Sequence, residues 1–174
     1  MSIAESNLAT IDIIDHLIGI EPTSPLHAVR ALRPDVVQHT QGSYEALLTP
    51  ADPGDLSLVE RAQAALRTAV LTPDTTLVAH YRARLAQLGE AASAIDQIEQ
   101  FTDAVTFSPR TAAILHHVNL LTTAPDTATT AHLQKLQGQG LSVRAIVALS
   151  QLIAFVSYQA RVIVALQLLG EAEA

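Results

Sequence analysis

The sequence predicts an all-α protein, and three observations lead there. Almost half of its residues are apolar but only 3% are aromatic, so a core must be assembled from Ala, Leu, Val and Ile, small regular side chains suited to close helix packing. Apolar residues recur at helical spacing, as in Leu58, Ala62, Ala65, Leu66, Ala69 and Val70. Between the periodic runs stand helix-start signals: Ser24-Pro25, Pro34, Ser57-x-x-Glu60 and Ser108-Pro109.

At 174 residues the chain suits one well-buried domain spanning 1–174. An N-terminal helical arm, 1–55, holds helices expected at about 8–18, 25–33 and 34–48, and ends in the turn ADPGD at 51–55. A helical hairpin and a following helix occupy 56–105. Its first helix opens on the Ser57/Glu60 capping box and breaks at Pro73-Asp74. The second carries Leu77, Tyr81, Leu85 and Leu88 on one face and stops at Gly89. A helix over 90–105 follows, and a C-terminal half, 106–174, begins with a helix from Ser108-Pro109 to about 122.

The segment PDTTLVAH at 73–80 matches PDTATTAH at 125–132 in five of eight positions, at an offset of 52. Each copy leads into a helix closed by glycine, Gly89 or Gly140, which suggests duplication of a helix-turn-helix unit; chance is the competing account in so Ala/Thr-rich a chain. The final run, Ser142 to Leu169, contains no Gly or Pro. Its longest uncharged stretch, Ala145–Ala160, is 16 residues, short of the roughly 20 that cross a bilayer, so it is expected as bundle core, oligomer interface or both.

The net charge of −7 and the single lysine, Lys135, argue against a sequence-independent hold on nucleic acid. With no cysteine, the chain has no disulfide, thiolate metal site or thiol nucleophile of its own. The N-terminus MSIAESNLATIDIID lacks a basic n-region and a continuous apolar run, so no secretory signal and a cytoplasmic location are expected. Seven histidines invite a metal reading, but no H-x-x-x-H or H-E-x-x-H spacing sets two imidazoles on one helix face, and no metal or cofactor is expected.

Tyr81 shares the apolar stripe of Leu77 and Leu85 and would carry its hydroxyl inward, either as a hydrogen-bonded core tyrosine or as a proton-transfer group. Beside it His80, near Arg84, is a general base or a solvated histidine. For Glu60, capping competes with catalysis. On the last helix Phe155, Tyr158, Gln159 and Arg161 can line a pocket, with Arg161 holding a small carboxylate by paired hydrogen bonds or joining a salt bridge.

The hairpin resembles the AhpD-like superfamily, the alkylhydroperoxidase and carboxymuconolactone decarboxylase domain proteins, and in particular its peroxidase-related branch. That family carries E-R-E on one helix, then C-x-x-C-x-x-x-H, then a glycine eight residues on. Here Glu60-Arg61-Ala62 stands in the first place, and counting back from Gly89 puts Tyr81 at the His and Leu77 and Asp74 at the two Cys positions. The acid of the proton relay falls on Ala62. A slip of one residue would put His80 at the His, which the decarboxylase branch keeps. The resemblance covers about 35 residues of hairpin and, more weakly, GLSVRAIVALSQLIAFVSYQARV near the end.

The resemblance implies an AhpD-like multihelical bundle that assembles as a dimer, trimer or hexamer. Thiol peroxidase chemistry does not carry over, because attack on a peroxide oxygen needs a thiolate. Two functions lead, with hydroperoxide turnover by a histidine route as a third. One is a thiol-independent enzyme or binder of a small organic acid or lactone, with Glu60, His80 and Tyr81 as catalytic candidates and Arg61, Tyr158 and Arg161 as substrate-binding candidates. The other is a non-catalytic structural partner of a Cys-bearing relative. Neither involves nucleic acid or a membrane.

Overall fold

The computed structural model describes residues 12–72, 75–102 and 106–172, and these form nine α-helices and one 3₁₀ turn with no strand among the described residues. The N-terminal arm folds as α1 (Ile13–Ile18), α2 (Pro25–Ala31) and α3 (Pro34–Leu48). The first helix expected in the arm reaches back into residues 8–11, which lie outside the described residues. Asp12 and Ser24 cap α1 and α2 by accepting from the Asp15 and His27 amides.

The hairpin is α4 (Leu58–Leu71) and α5 (Thr75–Gln87); the expected break at Pro73-Asp74 lies outside the described residues. After it come α6 (Ala92–Glu99), α7 (Pro109–Thr123), a 3₁₀ turn at Pro125–Thr127, α8 (Thr130–Gly138) and α9 (Val143–Ala172). The helix expected over 90–105 is shorter than its pattern. It stops at Glu99, whose carbonyl accepts from Arg67 Nη1 at 2.7 Å, and Phe101 then packs against Phe107 and edge-on against His116.

Helix α4 is the centre of the bundle, packed against α5, α6, α7 and α9. Its side chains make this possible: Ala62, Ala64, Ala65 and Ala69 are fully buried and let neighbouring backbones approach from several sides. A buried arginine, Arg67, locks the contact by donating to Asn119 Oδ1 on α7 at 2.8 Å while its guanidinium lies 5.6 Å from the centre of the Phe101 ring.

Helices α5 and α8 end alike. Gly89 and Gly140 have φ of 91° and 82°, and the amide after each glycine bonds back to Leu85 and Leu136. That left-handed turn is open to glycine and strained for most other residues. Helix α8 begins after the 3₁₀ turn at Pro125–Thr127.

In α9 one stripe, including Ile146, Leu149, Leu152, Ile153, Val156, Ile163 and Leu166, enters the core. Among the described residues it is the one helix long and apolar enough to cross a membrane by length and composition, with mean hydropathy 1.7 over the relevant window. Only 44% of that window is buried, and Val147, Val164, Leu168 and Leu169 face outward.

Candidate functional site

The hairpin site begins at the capping box. The Glu60 amide donates to Ser57 Oγ at 3.2 Å and the Glu60 carboxylate accepts from the Ser57 amide at 2.8 Å, so both halves of the box are formed. The same carboxylate receives Arg110 Nε from α7 at 2.5 Å. Burial pushes the Glu60 carboxyl up, but the bonds from Arg110 and Ser57 outweigh it and hold the group below its ordinary value. Glu60 is thus an ionised cap rather than a free base.

Arg61 points the other way and is consumed by backbone. Its guanidinium donates to the carbonyls of Leu56, Leu47 and Pro53 at 3.0, 2.9 and 3.1 Å, closing the loop that leads from α3 into α4. Arg110 closes a second junction by donating to the carbonyls of Asp55 and Gln139, and the Asp55 carboxylate in turn accepts from the Ser142 amide at 2.6 Å at the entry to α9.

On α5, Tyr81 is fully buried and its hydroxyl donates to Gln159 Oε1 on α9 at 2.6 Å. Burial pushes the phenol well above its ordinary value, so it stays protonated. Leu77, one turn earlier, and Ala62, facing from α4, are also fully buried. Three positions at which the resemblance would seat a Cys, a His and an acid are therefore packed core; the fourth, Asp74, lies outside the described residues.

His80 sits at the edge of this core. Its Nε2 is 3.0 Å from the hydroxyl of Tyr44 on α3, and its ring meets Tyr81 edge-on at 4.9 Å. Burial, then the nearby charges of Arg84 and His16, lower its pKa to about 4, so the imidazole is neutral at pH 7. Arg84 donates to the Leu48 carbonyl at 2.7 Å and offsets part of the burial that raises the Tyr44 phenol.

The two substrate-binding candidates on α9 are not brought to this cluster. The Tyr158 hydroxyl pairs with Thr40 Oγ1 of α3 at 3.0 Å. Exposed Arg161 donates to the Ser157 carbonyl and lines a separate cleft of about 380 Å³ with Ala160, Val164 and Leu168. Four clefts are described on the surface, and none has Glu60, His80 or Tyr81 in its lining. No cluster of three or more His, Asp or Glu positioned to hold a metal exists among the described residues.

Tyr44, Arg84 and Arg110 were not singled out as site residues by the sequence reading. Their partners lie 36 to 50 residues away, and no local motif marks such pairs.

This all-α arrangement is the AhpD-like fold, shared with solved structures. The chain superposes on an uncharacterized peroxidase-related protein from Silicibacter sp. TM1040 with a TM-score of 0.71 and 18% identity, over 79% of this chain and 71% of that one. It also superposes on the alkylhydroperoxidase AhpD core of an uncharacterized peroxidase-related protein from Ralstonia eutropha JMP134, with a TM-score of 0.65 and 20% identity, over 76% and 68% of the two chains. No protein-family model and no curated protein matches the chain by sequence.

Proposed function

We propose that this chain is an AhpD-like protein whose hairpin has left catalysis and serves as the core of a non-catalytic assembly partner, its natural companion being a Cys-bearing protein of the same fold. One observation carries the reading: Tyr81, at the position of the family's histidine, is fully buried with its hydroxyl spent on Gln159. Neither a substrate oxygen nor a water can share that proton without taking the α5–α9 contact apart. The outward apolar residues of α9, Val147, Val164, Leu168 and Leu169, offer a surface for assembly, with another copy or with the companion.

The purified chain is expected to consume no hydroperoxide above the uncatalysed rate, with or without dithiol. Co-expressed with a Cys-bearing protein of this fold, it is expected to co-purify as a defined complex. Hydroperoxide turnover that disappears in Tyr81→Phe, or recovery of homo-oligomers alone, would overturn the proposal.

A second reading keeps a thiol-independent enzyme acting on a small organic acid or lactone. His80 favours it, being neutral at pH 7 and bonded to a phenol that can relay a proton. Lactone hydrolysis that is lost in His80→Gln would establish it, and unchanged hydrolysis in that variant would remove it. A cytoplasmic location belongs to either reading.

A further inference from the structure

We propose that the cleft between α7 and α8 binds a small carboxylic acid with a compact apolar body, at a site separate from the hairpin. The proposal does not depend on whether the hairpin is catalytic. The cleft holds about 580 Å³, within the range of small-ligand pockets. On α7 its wall is a single helical stripe in which Ala112, Ala113 and Leu120 flank His116 and His117. Two alanines where a bundle helix would ordinarily present larger side chains leave room for an apolar body. Across the gap α8 contributes His132 and Lys135, and α8 is anchored lightly, Leu136 being its only buried residue.

Charge narrows the choice of occupant. The chain carries a net −7, yet among the described residues no Asp or Glu lines this cleft, while its only lysine does. An anion is favoured there and a cation is not.

The histidines differ in what they offer a ligand. His117 is only 4% exposed, and its Nε2 is 3.3 Å from Ser150 Oγ on α9. The Ser150 hydroxyl already donates to the Ile146 carbonyl at 2.9 Å, so its oxygen must accept and Nε2 must carry the ring proton. Nδ1 is then a bare acceptor, buried and without a partner among the described residues. Nδ1 is closed to solvent in this side-chain position, so the His117 ring contributes wall to the cleft and no hydrogen bond.

His132 supplies a donor instead. Its Nδ1 accepts from the Thr129 amide at 3.0 Å, which leaves the proton on Nε2 as a donor. A carboxylate answers the donors across the cleft: its oxygens accept from His132 Nε2 and from the Lys135 ammonium, while the apolar body lies against Ala112, Ala113 and Leu120.

The test titrates the full chain with octanoate, followed by calorimetry and by amide shifts, with octylammonium and octanol as probes of the same body. Octanoate is expected to bind saturably with the largest shifts in α7 and α8, and octylammonium not to bind. Lys135→Glu, on an exposed residue, is expected to weaken octanoate by about tenfold or more. Ala112→Leu fills the cleft and is expected to abolish binding while the melting transition persists; if it fails to fold, Lys135→Glu decides alone. Absence of saturable octanoate binding, equal binding of octylammonium, or unchanged affinity in the folded variants would each overturn the site.

Discussion

Replacing Tyr81 by Phe removes one oxygen from the core and strands Gln159 Oε1, a fully buried acceptor whose bond from the phenol is 2.6 Å. A buried acceptor that loses its partner costs about 1–3 kcal/mol, since neither water nor another donor replaces the bond. For a chain of this size 1 kcal/mol moves the melting temperature by roughly 2–4 °C, so a loss of about 2 kcal/mol lowers it by about 4–8 °C.

Gln159→Met strands the Tyr81 phenol in the same way and is expected to cost a similar amount. The double variant removes both polar groups, together with Gln159 Nε2, which has no hydrogen-bond partner among the described residues. It is therefore expected to cost clearly less than the two single variants added together, by a coupling energy of about 1–3 kcal/mol. Urea denaturation followed by circular dichroism measures all four stabilities, and an unchanged urea dependence confirms that the same transition is compared. If the two single costs simply add, or Tyr81→Phe is neutral, then Tyr81 is not held as a core hydrogen-bond donor and the case for an emptied hairpin site falls with it.

The pH dependence follows from His80, whose folded pKa of about 4 lies below its ordinary 6.5. The unfolded chain binds that proton more readily, so the full stability is present above about pH 6.5 and falls as pH drops toward 4, by up to roughly 3 kcal/mol. His117, also lowered by burial and by His132, acts in the same direction. Urea midpoints for His80→Gln are expected to fall less between these pH values than those of the parent. Glu60→Ala loses the helix cap and the Arg110 ion pair together, an expected cost of about 1–2 kcal/mol read from melting curves. Arg61→Met releases the Leu47, Pro53 and Leu56 carbonyls, and is expected to cost roughly 2–4 kcal/mol and to make the α3–α4 loop the first site of limited proteolysis.

What could be read along the chain was the part governed by neighbours within about four residues. The Ser57 box, the Ser24-Pro25 and Ser108-Pro109 starts and the glycine stops at Gly89 and Gly140 each satisfy their own orphan amides or carbonyls locally, and each appears in the structure. The buried stripe of Leu77, Tyr81 and Leu85 follows from helical periodicity alone. The absence of cysteine by itself removes thiol chemistry from the chain.

Tertiary packing decided the rest. It ended α6 at Glu99 by giving that carbonyl to Arg67, and it turned Arg61, a substrate-binding candidate by its position, into a clamp on three carbonyls. Packing also chose Gln159, 78 residues away, as the partner of Tyr81, and left the α7 stripe facing an open cleft where the first hairpin packs shut. The physical reason is common to all of these. A cap or a stripe is satisfied within its own helix, whereas a buried polar group takes whichever partner the folded bundle brings within 3 Å or so, and no local pattern encodes that choice.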